Sequence, residues 1–252
     1  MPNWKSETIR LTAFLHAPVT PKEKWWETIA GGEPESKHYR PQDRFLAVTG
    51  PVFDGECNLS LTGNAERIDW ILSGRDDPNE GENRPFPFVG PFSDRIEQFR
   101  VLMTKWLSSA PAVKRLAFGA VVVTPVEAIA EGFRVLQPLL SNIKLTPESF
   151  DFAYSINRPR ASKAIGPALR INRLSKWNVM TLQRVRLIAA LAPGISDVQQ
   201  TNFGASINVA RIEIDINTAA DRQDKLPAKK LAKLVSELID LGIEIIEKGD
   251  RP

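Results

Sequence analysis

Arg115-Leu116-Ala117-Phe118-Gly119-Ala120-Val121-Val122-Val123, followed by Thr124-Pro125, is the stretch on which the fold turns. The eight apolar residues that follow Arg115, three of them β-branched, predict a strand. Thr124-Pro125 then sets an N-cap residue before a proline suited to the first helical position. Ile129, Phe133, Leu136 and Leu140 continue as a helix interrupted near Pro138. The same order occurs once earlier. Residues 8–15 read as a strand ending at His16-Ala17-Pro18, and Thr20-Pro21 opens a short helix with Glu23 at the capping-box position. That helix carries Trp25, Trp26 and Ile29, and Gly31-Gly32 stops it.

Both starts are followed by strands and then a longer helix. After a polar loop at 33–43, strands are predicted at 45–49, 56–61 and 67–72, separated by Gly50-Pro51 and Gly63-Asn64. A mobile loop is expected over 74–91. The next helix starts at Ser93, with Ile96, Phe99, Met103, Trp106 and Leu107 at helical spacing. In the second half, strands are expected around 150–157, 168–174 with a continuation to 188, and 207–217. A closing helix runs from about Pro227 to Lys248 with Gly249 after it.

The chain therefore reads as α+β, with two β-α-β-β-β-α pseudo-repeats, about 1–110 and 111–252, forming an antiparallel sheet with helices packed on one face. Residue identity between the halves is negligible, so pattern alone carries the repeat. Each half leaves an apolar sheet face that its helices can cover. A continuous saddle, similar to the TATA-binding-protein architecture, is one solution. Two facing grips, or an irregular α+β domain without duplication, fit the same pattern.

The 252 residues hold 33 Lys and Arg against 30 Asp and Glu, and 42% are hydrophobic, which excludes disordered and fibrous classes. No apolar run approaches the roughly 18 residues of a membrane helix, and the N-terminus lacks the order of a secretory signal, so a cytoplasmic location is expected. One cysteine, Cys57, excludes an internal disulfide and reads as a buried thiol. His16 and His38 leave little for a histidine-based metal centre or a serine hydrolase. No cofactor motif occurs: Gly31-Gly32-Glu33-Pro34-Glu35-Ser36-Lys37 lacks the spacing of a phosphate loop.

Charge is unevenly distributed. Between Asp151 and Asp197 there is no acid, and Arg158, Arg160, Lys163, Arg170, Arg173, Lys176, Arg184 and Arg186 supply eight positive charges. The whole chain is +3, which leaves −5 for the rest. The basic segment 152–196 predicts a surface for another protein or for the anionic backbone of a nucleic acid, with Arg158, Arg160, Lys163, Arg170, Arg173 and Lys176 as its contacts. Trp177 could stack on a base or pack inside. Pairing of these cations with Glu213 and Asp215 on the alternating strand 209–217 explains the same pattern. Those two acids also define a third reading, a metal-dependent enzyme.

Trp25 and Trp26 point about 100° apart on a helix. One is expected in the core and the other at a protein contact. The closing helix adds Ile239, Ile243 and Ile246 to its stripe, which suggests a homo-oligomer through that helix.

Residues 115–119, the stretch Leu169-Arg170-Ile171-Asn172-Arg173-Leu174-Ser175-Lys176-Trp177, and Ile212-Glu213-Ile214-Asp215-Ile216-Asn217-Thr218 before the last helix resemble a sporadically distributed bacterial family of similar length with no assigned activity. The resemblance covers mostly the second half. It implies an accessory or mobile-element role, including antiviral defence, and carries over no catalytic residue. The function expected is a non-enzymatic binding or scaffold protein.

Overall fold

A computed structural model describes residues 2–76, 86–146, 148–189, 198–221 and 224–251. Its strands are β1 (Lys5–Leu15), β2 (Ser36–Arg40), β3 (Phe45–Val52), β4 (Cys57–Gly63), β5 (Arg67–Gly74), β6 (Gly90–Pro91), β7 (Val113–Val126), β8 (Ala153–Asn157), β9 (Arg160–Ser162), β10 (Gly166–Ala189) and β11 (Val198–Thr218). Its helices are α1 (Lys24–Ala30), α2 (Phe92–Leu107), α3 (Ile129–Leu136) and α4 (Leu231–Lys248). The fold is α+β. One sheet runs in the order β2-β3-β4-β5-β1-β7-β11-β10-β8, with β6 pairing β1 and β9 pairing β10. Every pairing is antiparallel.

Strand alternation sorts the side chains onto two faces. One carries Ile9, Leu11 and Ala13 of β1, Leu59 and Leu61 of β4, Ile68, Trp70 and Leu72 of β5, Leu116, Phe118 and Val122 of β7, and Ile212, Ile214 and Ile216 of β11, all buried. All four helices cover this face. α2 packs on α1, β1 and α4, and α4 packs on β7, β10 and β11. The stripe of α2 is Ile96, Phe99, Met103 and Trp106; that of α4 is Leu231, Leu234, Val235, Leu238 and Ile245. Among the described residues no helix packs on the opposite face, although Val123 and Val209 on it are buried as well.

Two glycines let helix and sheet come close. A β-carbon on Gly132 would lie 2.5 Å from Val179 Cγ1, and one on Gly242 would lie 2.7 Å from Ile214 Cδ1. For Gly132→Ala, a helix-propensity gain of about 1 kcal/mol opposes an overpacking cost of about 1–3 kcal/mol against a stiff β-branched neighbour. A net loss of about 1 kcal/mol is expected, read as a melting temperature lower by roughly 2–4 °C. An unchanged or higher value would mean that Val179 yields freely.

Several sequence expectations change. Neither Thr-Pro pair starts a helix. α1 begins at Lys24, and Pro125 stays within β7, opposite Val209 of β11, because the ladder continues to Val126. Gly50-Pro51 is no turn either: Gly50 lies inside β3, where a β-carbon would meet the Trp26 ring at 3.0 Å. The reversal comes at Phe53-Asp54-Gly55, all at positive φ. The polar loop at 33–43 contains edge strand β2, whose five residues are all exposed. Of the loop expected at 74–91, residues 77–85 lie outside the described residues; Gly90–Pro91 pairs with β1. No described helix is long and apolar enough to cross a membrane.

Candidate functional site

The six cations singled out in the sequence do not share a surface. Arg170 and Lys176 lie on the uncovered face of β10, whereas Arg173 lies between them in sequence on the helix-covered face. Arg173 is 3% exposed. It belongs to a charged cluster that β8, β9 and β10 form with the end of α4. Arg158 donates through Nε and Nη2 to Asp250, which also accepts from the Tyr154 hydroxyl at 2.6 Å. Arg160 forms a two-bond fork with Glu244, at 2.9 and 3.0 Å. Arg173 Nη2 stands 3.7 Å from Glu244 Oε1.

The backbone of this cluster is fixed by Gly249. At φ 80° it ends α4 with its N–H on Ile245 O, and a β-carbon there would fall 2.0 Å from Leu139 O. Asp250 N–H then donates to Leu139 O at 2.9 Å, which holds the carboxylate under β8. The hydrogen bond from Arg158 keeps the Asp250 carboxyl below its ordinary range, and the one from Arg160 does the same for Glu244. Burial pushes the Arg173 guanidinium down, and the charge of Arg160 adds to it. Burial also raises the Tyr154 hydroxyl, with Asp250 contributing.

The remaining predicted cations divide. Lys163 is exposed, and its backbone N–H joins those of Ala164 and the Ser162 hydroxyl in donating to Glu237. Lys176 pairs across the ladder with Glu213 at 3.2 Å, as the pairing alternative anticipates. Arg184 pairs with Asp76 at 2.6 Å and lies over the Phe86 ring. The side chain of Arg186 and residues 190–196 of the basic segment lie outside the described residues.

The uncovered face gathers residues that the charge run did not highlight. Phe14 of β1 stands directly opposite Arg67 of β5 and Arg115 of β7. Both guanidinium groups lie over its ring, at 5.7 and 4.8 Å from the centroid. Arg115 Nη2 donates to Asn217 Oδ1 at 3.1 Å. Asn172 donates to the same oxygen, Asn157 donates to Asn172, and Asn217 donates to Asp215 at 2.8 Å. A polar row thus crosses six strands, from β5 to β8. Higher on β1, Arg10 lies over Gly119, where a β-carbon would come 3.4 Å from Nη2. Among the described residues no carboxylate pairs with Arg10, Arg115 or Arg170. The face also keeps Asp69 paired with Arg67, and Arg211 between Glu7 and Glu213. Alternation in residues 8–15 could have placed Arg10 and Phe14 together; the partners across the sheet had no local signal.

Trp25 and Trp26 are both buried, which removes the exposed anchor expected of one of them. α1 sits in the notch between sheet and α2, so each ring has its own wall. Trp26 stacks on Trp70 of β5 (6.4 Å, 16°), and Trp25 meets Trp106 of α2 edge-on (6.3 Å, 75°). Trp177 is buried and donates to Ser175 Oγ. On α4, Ile239 and Ile246 are buried, while Ile243 borders a groove of about 400 Å³ with Trp4, Phe92 and Ile96.

Glu213 and Asp215 share the uncovered face without converging. Burial pushes the Glu213 carboxyl up, but its hydrogen bond from Lys176 and the charges of Lys176 and Arg211 bring it below its ordinary value. Asp215 accepts from Asn217. No group of three or more His, Cys, Asp and Glu side chains comes together among the described residues. Cys57 is buried with its thiol on Val89 O, and burial raises its pKa. No family model, curated protein or solved structure matches the chain.

Proposed function

We propose that the protein is a non-enzymatic binding protein that receives another protein on the uncovered face of its sheet. One observation carries this reading: among the described residues, Arg10, Arg115 and Arg170 stand on that face without carboxylate partners, beside an Arg-Phe-Arg row and an asparagine ladder. Nine strands about 4.8 Å apart span roughly 40 Å, and a 20 Å strip of that width gives about 800 Å², one side of a standard interface. The polarity suits a polar, arginine-bearing docking surface.

Mixed charge favours a protein over a nucleic acid. Asp69, Glu7, Glu213 and Asp215 share the face with the arginines and would repel a phosphate backbone. The partner is one that presents carboxylates to Arg10, Arg115 and Arg170. We further infer that the two halves are copies of one plan. The sheet order runs outward from β1-β7 as β5, β4, β3 on one side and β11, β10, β8 on the other, with one helix after the first strand and one at the end of each half. β2, β6 and β9 are additions to that plan.

The test is co-purification from the native host with the wild-type chain and with the double variant Arg10→Glu, Arg170→Glu. The expected result is a partner held by the wild type, lost with the variant, at an unchanged melting temperature. Retention by the folded variant would sink this face as the docking site. A steep log–log fall of binding to DNA or RNA with salt, abolished by the same variant, would transfer the face to nucleic acid.

A further inference from the structure

On the other side of the sheet, the cluster at the end of α4 holds more positive charge than its carboxylates answer. Among the described residues, Arg158, Arg160, Arg173 and Arg251 face Asp250 and Glu244, a surplus of two. Asp250 is engaged by Arg158 and Tyr154, and Glu244 is engaged in the fork with Arg160. Arg173 is left with one long approach to Glu244. Its Nε and Nη1 are fully buried, and among the described residues no group accepts a hydrogen bond from either. A buried guanidinium in that state is costly, because its donors have lost water without gaining a partner.

Arg173 borders a small cavity. Arg173, Arg158, Ser175, Asp250 and Arg251 line a space of about 10 Å³, room for one water-sized atom. Ser175 Oγ accepts from Trp177 Nε1, so its own hydrogen remains to donate. The nearby backbone N–H groups of Gly249 and Asp250 are already used, on Ile245 O and Leu139 O. Recognition would therefore come from side chains. Arg251 is exposed and marks the solvent side.

We propose that this cluster is an oxyanion site that takes a phosphate group, with one oxygen in the cavity against Arg173 and Ser175 and the others toward Arg251. A doubly charged tetrahedral anion matches a surplus of two positive charges, and guanidinium groups are suited to its oxygens. Two features oppose an anion: the Asp250 carboxylate, which lines the cavity but is already held by Arg158 and Tyr154, and the C-terminal dipole of α4, whose effect Lys248 in the last turn offsets. The site lies on the helix-covered face, so it is independent of the docking face above.

The test uses the intact chain. Melting is compared in potassium phosphate and potassium chloride at equal ionic strength, and the ³¹P line width of inorganic phosphate is followed on addition of protein. Phosphate, and not chloride, is expected to raise the melting temperature and to show a broadened line. Ser175→Ala, which leaves every arginine in place, should weaken phosphate binding several-fold. Arg173→Gln should abolish it, and Lys163→Ala, outside the cluster, should leave it unchanged. Glycerol phosphate is the second probe: equal broadening assigns the site to phosphate monoesters, and broadening with inorganic phosphate alone assigns it to the free ion. Equal melting in the two salts with an unbroadened line overturns the proposal, as does broadening that persists in both Ser175→Ala and Arg173→Gln. The wild-type line width and Ser175→Ala decide the matter if Arg173→Gln does not fold.

Discussion

Asp250→Ala is expected to destabilise the chain by about 3 kcal/mol, at the lower end of the range for breaking a buried ion pair. The carboxylate is 5% exposed and answers Arg158 and Tyr154 directly. Its removal leaves Arg173 with Glu244 as its remaining acid and strips Arg158 of both hydrogen bonds. The lower end applies because Arg158 itself is half-buried and can reach water. Denaturant midpoints at pH 7 measure the effect, and a loss under 1 kcal/mol would mean that the pair is structurally idle. Asp250→Asn separates charge from shape. The pH dependence has a definite sign. The folded pKa values of Asp250 and Glu244 lie below their ordinary 3.8 and 4.5, so their contribution is complete above about pH 5 and fades as pH falls through the folded values. The acid limb of stability should flatten in Asp250→Asn. An acid limb that is unchanged in this variant would contradict the assignment.

Trp70→Ala carries the other large effect. The indole is fully buried, stacked on Trp26 and edge-on to Trp106 at 5.8 Å. It is the wall on which α1 and α2 both rest. Truncating a buried tryptophan costs about 3–5 kcal/mol, and the aromatic geometry adds about 0.5–1.5 kcal/mol per pair. Chemical unfolding should show that loss, with α1 the first element to lose hydrogen-exchange protection. Trp70→Phe should recover roughly half, since it keeps a ring in the notch. Stability within 1 kcal/mol of wild type would show that the three indoles are interchangeable filling.

How far the sequence foretells the molecule depends on where the partner of each residue lies. α2 and α4 are legible because their stripes are periodic over about three turns or more, as in Ile96, Phe99, Met103 and Trp106. β7 is legible because Ala120, Val122 and Val123 are buried on a central strand. β2 is not: Ser36-Lys37-His38-Tyr39-Arg40 is an edge strand with every residue exposed, so no alternation marks it. Pro125 misleads because a proline that suits a helix start also fits where this ladder tolerates it. The charged cluster was half visible. The tract without acids marks Arg158, Arg160 and Arg173, but their partners, Glu244 and Asp250, come 70 residues or more later at a helix end. Without them, alternation along β10 could place Arg173 opposite Arg170, and nothing local said which side α4 would cover.

β1, made about a hundred residues before β7, ends up in the middle of the sheet, between β5 and β7. During translation its far edge has no neighbour until β7 emerges, about a hundred residues later. At roughly 5–20 residues per second, that is on the order of 5–20 s of a bare apolar ladder on the nascent chain. Ribosome-bound chaperones would find their target there, and a stall near residue 110 would release a half-sheet prone to joining its own kind.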